Sequence, residues 1–461
     1  MQARDTIKGT KETKKKETKK SVKQDVKQNV IWLGLTSLFT DVSTEMLTPI
    51  LPLFLSNVLG ASGIVIGFIE GLAKGSEHIL SIFAGWLSDR MGRRKPLAVF
   101  GYFIATVTKG TYAFVTGWEQ LFIARLIDRS GKAIRNPPRD ALLAESISKK
   151  AQRSGFAIHR VLDTIGAILG PLTTLAFLIV IGVSIDAIGK EKELLSYVAR
   201  NIFLLSLIPG FLAVIIIAFA VREAKVRHVV KKKGERLIDL LRDMLSVAKY
   251  GNAYNVFLIT SILFYFAMPT MAFFYLKGSA IGIHIDNILI LASFFNITYI
   301  IGAAIFGFTT QRSLTSAADS LDGTIGGVVP KAIYRAMTKT MMSSKNVIAL
   351  TLAFSAIIFF AFSFVQSIEM FAILFGAFGF VFGILEVETR VYISSTVNER
   401  ILGGAFGTWR TLTGISMIVS GILLGILWDI SPSLLFMIAA IIAFIALFYF
   451  IFATNNKTNR H

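Results

Sequence analysis

Cysteine is absent from the 461 residues, which rules out disulfides and thiolate metal centres and leaves the redox compartment open. Histidine is scarce, with 5 copies. No metal-ligand spacing or nucleophile–base motif occurs, so the chain is not expected to be an enzyme and no cofactor or metal is expected. A glycine-rich phosphate loop is also missing, which argues against a nucleotide-driven pump. Charge is sparse: 17% of the residues are Asp, Glu, Lys or Arg, where a soluble chain carries about 25%.

What is present is apolar. Hydrophobic residues make up 54% of the chain, Phe alone numbers 38, and the mean hydropathy is +0.64. Apolar runs recur at close to the roughly 20 residues that a helix needs to cross a bilayer. The first follows a hydrophilic tail and is too long for a cleavable signal peptide. The net charge of +19 is concentrated in TIKGTKETKKKETKKSVKQDVKQ and VREAKVRHVVKKKGER. Beside membrane spans, such runs are attracted to anionic lipid headgroups. No nucleic-acid-reading fold or base-stacking module accompanies them, so a nucleic-acid partner is not expected.

The pattern predicts an all-α polytopic membrane protein with twelve transmembrane helices in two six-helix halves. Residues 1–28 are expected to form a disordered basic tail and 29–221 the N-terminal half. Residues 222–252 form a linker in which Leu237, Leu241, Met244 and Ala248 share one face of an amphipathic surface helix. The C-terminal half spans 253–453, interrupted by an insertion at 311–345, and 454–461 form a second tail. Arg90, Arg93, Arg94 and Lys95 follow span two, Lys149, Lys150 and Arg153 follow span four, and the linker is strongly basic. The opposite connections, SNVLGAS and TGWEQ, carry no Lys or Arg. Both termini are therefore expected in the cytoplasm, at the cell membrane.

The halves repeat. GWLSDR at Gly85 aligns with GFTTQR at Gly307, Pro49 aligns with Pro269, and GFAIHRVLDTIG aligns with AFGTWRTLTGIS. The growing offset between the matches locates the insertion after span eight.

GWLSDRMGRRKPL, residues 85–97, resembles the G-x-L-x-D-R-x-G-R-[RK] signature of the major facilitator superfamily. DRSGKAIRNPPRDAL resembles a motif of a poorly characterised prokaryotic group within it, and ILGPL in span five resembles part of the Gly-Pro element of proton-coupled antiporters. The resemblance implies a secondary active transporter of a small molecule, working by alternating access with protons as the coupling ion, and a monomer is expected. It also implies that Gly85, Asp89, Arg90, Gly92, Arg93 and Arg94 form a latch between the halves on the cytoplasmic side. An uncoupled facilitator of an organic anion and a non-transporting sensor are the alternatives.

The second copy of the signature has lost its Asp, so its latch is expected to be weak. Span four bears a further charged pattern. At 100° per residue, Arg125, Asp128, Arg129, Lys132, Arg135 and Arg139 fall within about 120° of arc. Such a stripe cannot face lipid. Asp41 and Glu45 in span one, Glu70, Lys74 and Glu77 in span two, and His159, Arg160 and Asp163 in span five are available partners. At mid-membrane Arg125, Arg129, Lys132 and Arg160 balance Asp41, Glu45, Asp128 and Asp163. This balance predicts switchable pairs of Arg125 and Arg129 with Asp41 and Glu45, released on protonation, while Arg135 and Arg139 lie near the headgroups. The C-terminal counterpart of the stripe is apolar, so that half is expected to offer aromatic surface. Tyr265, Tyr299, Phe378, Trp409 and Arg410 are its candidate substrate-cavity residues.

Overall fold

The computed structural model describes residues 28–147, 152–182, 191–223, 247–309, 343–398 and 401–455. The N-terminal tail, the linker helix around Leu241, Lys149 and Lys150, nearly all of the 311–345 insertion, the last three residues of GFTTQR and residues 456–461 lie outside them. The long helices are α1 (Gln28–Val58), α2 (Gly63–Met91), α3 (Lys95–Thr111), α4 (Trp118–Glu145), α5 (Gln152–Val180) and α6 (Lys192–Ala220). The second set is α7 (Asn252–Ala280), α8 (Ile285–Thr309), α9 (Ser344–Phe362), α10 (Ile368–Thr396), α11 (Leu402–Ile430) and α12 (Pro432–Asn455).

Among the described residues 9 helices are long and apolar enough to cross a bilayer. The other three are α2 and α4, which carry many of the charges, and α3, which falls short at 17 residues. Together they agree with twelve spans. The surface is apolar, with Phe114 and Phe452 more than two-thirds exposed, whereas Arg125, Asp128, Arg129 and Arg135 are buried. This is the reverse of a water-soluble protein and fits a hydrocarbon surround.

Proline marks the helix breaks. Turn geometry interrupts α1 at Met46–Pro49, and α7 breaks at Met268–Thr270 around Pro269. A proline offers no N–H to the preceding turn and crowds its carbonyl. The paired breaks bend the equivalent helix of each half at the equivalent place.

The halves meet along two seams. The broader joins α2 to α11, and the other joins α5 to α8. Glycine makes the first seam possible: a Cβ on Gly75 would lie 2.5 Å from the Gly414 carbonyl oxygen, and one on Gly67 would strike Gly421. Close backbone approach of this kind drives helix association in lipid, where hydrophobic burial contributes little. At the far end of this seam the Asp429 carboxylate accepts the N–H groups of Gly63 at 2.6 Å and Ile64 at 2.9 Å. An acid in one half thus caps a helix of the other. Ala61 and Gly63 are buried at one end of the seam, whereas Leu87 and Met91 at the opposite, basic end are exposed.

Each half has its own core. The C-terminal half is filled by rings: Phe274 stacks on Phe378 at 5.0 Å and packs on Phe362 and Phe436 at 5.0 and 5.2 Å. The N-terminal half joins its apolar packing to ion pairs between α2 and α4.

Candidate functional site

The stripe on α4 is neutralised by α2. The Arg125 guanidinium donates to both oxygens of Glu70, at 2.9 and 3.0 Å, and Asp128 lies 3.6 Å from it. Arg129 approaches Glu77 at 3.4 Å and Asp128 at 3.8 Å, and Lys132 approaches Glu77 at 3.5 Å. The expected partners Asp41 and Glu45 are elsewhere, because their part of α1 packs on α5: a Cβ on Gly170 would meet the Glu45 side chain. Arg135 is also not at the headgroups. It is buried, with its guanidinium 4.4 Å above the Tyr102 ring. Arg139 pairs with Asp140 at 2.8 Å and donates to Ser37 at 3.4 Å.

Asp41 instead meets Asp163. The two carboxyl groups lie within hydrogen-bond reach of each other, and carboxyl oxygens can bond in this way only if one of them carries a proton. Ser37 donates to Asp163 Oδ1 at 2.5 Å, and Arg160 donates to Asp163 Oδ2 at 3.3 Å. Arg160 also crosses to the other half. It donates to the Tyr299 hydroxyl and approaches Glu386 at 3.4 Å, while Tyr299 donates to Glu386 and Arg390 pairs with Glu386. Beside this seam, Asn296 and Ser293 of α8 donate to the Ala167 and Ile168 carbonyls of α5, both at 3.0 Å. The Asp41–Asp163 contact of α1 and α5 is thus one side chain away from a bridge between the halves. His159, adjacent to Arg160, is buried with no hydrogen-bond partner at Nε2.

Other groups stand apart. Among the described residues Glu45, Lys74 and Arg410 have no oppositely charged group within ion-pair distance. Lys109, a position the sequence pattern did not single out, is buried on α3 and donates to Ser43 at 3.0 Å and Thr44 at 2.8 Å. Of the aromatic candidates, Tyr299 belongs to the bridge. Trp409 lies 6.0 Å from Tyr265 and 6.5 Å from His78. Phe378 is not a cavity residue: it is 1% exposed, inside the ring core, because its stripe turns toward α7 and α8.

The signature loop is built within one half. Gly92 caps α2 at φ 65°, where glycine is favoured. The turn delivers Arg94 to Asp89 at 2.5 Å, Ser88 at 2.9 Å and Glu145 of α4 at 3.2 Å. Burial disfavours the Arg94 charge, but Asp89 and Glu145 outweigh it and hold its pKa above the ordinary arginine value. Glu223, beyond α6, accepts the N–H groups of Arg94 at 2.8 Å and Lys95 at 3.1 Å. Arg90 lies over Trp86 at 5.3 Å, and a Cβ on Gly85 would sit 3.6 Å from Pro137. In this conformation these contacts of the loop all fall inside the N-terminal half.

A twelve-helix membrane fold in two halves, with a basic turn after α2 and ion pairs at its centre, defines a transporter architecture. The family profile described as Major Facilitator Superfamily matches residues 33–318, and the chain belongs to that superfamily. It is 26% identical over 420 residues to the uncharacterized MFS-type transporter MJ1317 of Methanocaldococcus jannaschii, covering 90% of this chain and 92% of the relative. Among solved structures it resembles the nucleoside transporter NupG, with a TM-score of 0.67 and 15% identity over 92% of this chain and 98% of that one. It also resembles a POT family transporter in complex with a thioalcohol-conjugated peptide, at 0.69 and 10% over 93% and 96%. These likenesses fix the fold.

Proposed function

We propose that this membrane transporter is proton-coupled and moves a small molecule across the cell membrane by alternating access, with both termini in the cytoplasm. The observation that carries the reading is the placement of Asp41 against Asp163, next to Arg160, where the two carboxyl groups can share one proton. When the pair holds a proton, it draws less on Arg160, which then binds Tyr299 and Glu386 across the seam. When the proton leaves, the second carboxylate draws Arg160 back into its own half and weakens the α5–α8 bridge. A proton at one site thereby biases the packing of two rigid halves. Arg125 and Arg129 of α4 remain with Glu70 and Glu77 throughout and hold α2 to α4 as one body.

The test is flux. Proteoliposomes holding a pH-sensitive dye are exposed to a compound panel, and the active compound should move protons together with itself. Asp163→Asn should abolish that proton movement. Compound movement without protons would leave an uncoupled facilitator, and binding without movement would leave a sensor.

A further inference from the structure

The central gap between α2, α4 and α11 holds two cations that have no carboxylate within ion-pair distance among the described residues. Lys74 is flanked on α2 by Glu70 and Glu77, which face α4, and by Gly71 and Gly75, which pack on α11. Its side chain therefore points into the wedge between those two helices. Lys74 is nevertheless exposed, so the wedge is open to water. The nearby acids are already engaged: Glu70 by Arg125, and Glu77 by both Arg129 and Lys132.

From the other half, Arg410 is likewise exposed, and no carboxylate lies within ion-pair distance of it among the described residues. It stands one turn from Gly414, where the seam to His78 and Gly75 closes. His78, one turn along α2 from Lys74, packs against Gly414, with its ring 6.5 Å from that of Trp409. Two buried polar atoms in the same place have no partner, His78 Nδ1 and Trp409 Nε1. An indole N–H can only donate, so it lacks an acceptor. Two free cations and a free donor around a gap walled by aromatic rings call for an anion with a flat apolar body.

Resting on the transport reading above, we infer that the substrate is a small carboxylate with a planar body. Its acidic group is held between Lys74 of one half and Arg410 of the other, and Trp409 donates its N–H to a substrate oxygen. A ligand held by both halves also gives the substrate a direct grip on their relative position.

The test uses the full-length purified protein with benzoate, cinnamate and indole-3-acetate, each beside its neutral amide, read by thermal shift. At least one carboxylate should raise the melting temperature where its amide does not. Lys74→Gln and Arg410→Gln should each weaken that binding about tenfold or more. Lys74→Arg and Arg410→Lys should restore it, which separates binding from misfolding. Lys345→Gln, at a surface contact to Asn455, should change nothing. Equal shifts for acid and amide, no shift with any carboxylate, or native affinity in Lys74→Gln and Arg410→Gln would overturn the assignment. Thiol labelling of Leu87→Cys in the ligand-free protein, followed against pH, keeps the two readings apart. If labelling responds to pH while no carboxylate binds, only the anion site falls; if it does not respond, the proton-coupled reading falls whatever binds.

Discussion

Arg125 and Glu70 form a two-point pair in which both side chains are less than a tenth exposed. Removing one member of a buried pair leaves an unpaired charge and costs about 3–5 kcal/mol, whereas replacing both with apolar groups costs far less. Glu70→Gln and Arg125→Gln should therefore each lower the melting temperature sharply, and a Glu70→Met, Arg125→Met double variant should recover most of the loss. If the double variant is as unstable as the singles combined, the pair is not the unit that holds α2 to α4. Asp89 is different. Its side chain is 62% exposed, and Arg94 keeps Ser88 and Glu145 without it. Exposed pairs contribute about 0–1 kcal/mol, so Asp89→Asn should fold and melt almost as the native chain does. A strong loss of transport in that variant would have to come from a conformation in which the loop meets the other half. The charged residues themselves were legible in the sequence, because an ionised group in an apolar span stands out. Their pairing was not. Helical periodicity gives the face of α4 that is charged, but it does not say whether α1 or α2 lies against it, and Asp41 and Glu45 proved to face α5. Arg135 was misplaced for a related reason: only the packed structure shows that Tyr102 of α3 covers it.

At the level of helices, the α2–α11 seam sets which face is closed. Its glycines leave no room for a side chain, so Gly75→Leu should force the seam apart and raise the accessibility of buried Ala61 at the Gly63 end. Asp429→Asn should do the same more mildly, because an amide oxygen still accepts one N–H but carries no charge against the α2 terminus. Thiol labelling at Ala61→Cys checks both, and unchanged labelling in Gly75→Leu would show that the seam is not a gate. The matched prolines, Pro49 and Pro269, were readable as a repeat, and both coincide with breaks in α1 and α7. The loss of charge from the C-terminal counterpart of α4 was equally readable. Its consequence was not, since Phe378 faces Phe274 and Phe359 rather than a cavity. An aromatic residue in an apolar span can pack, face lipid or line a cavity, and the local pattern is the same in all three cases.

Across the whole molecule, the two halves divide the work. The N-terminal half carries buried ions and the Asp41–Asp163 pair, the C-terminal half is a ring-packed body, and Arg160 with Tyr299 and Glu386 joins them. Because the chain has no cysteine, spin labels at Leu87→Cys and Ser394→Cys report the opening of the basic face without background. The decisive measurement is the distance between those labels as a function of pH, in the native background and with Asp41→Asn and Asp163→Asn together. The account predicts two distance populations whose ratio moves with pH in the native background, and a fixed ratio once both carboxylates are replaced. A pH response that survives the double replacement would contradict it.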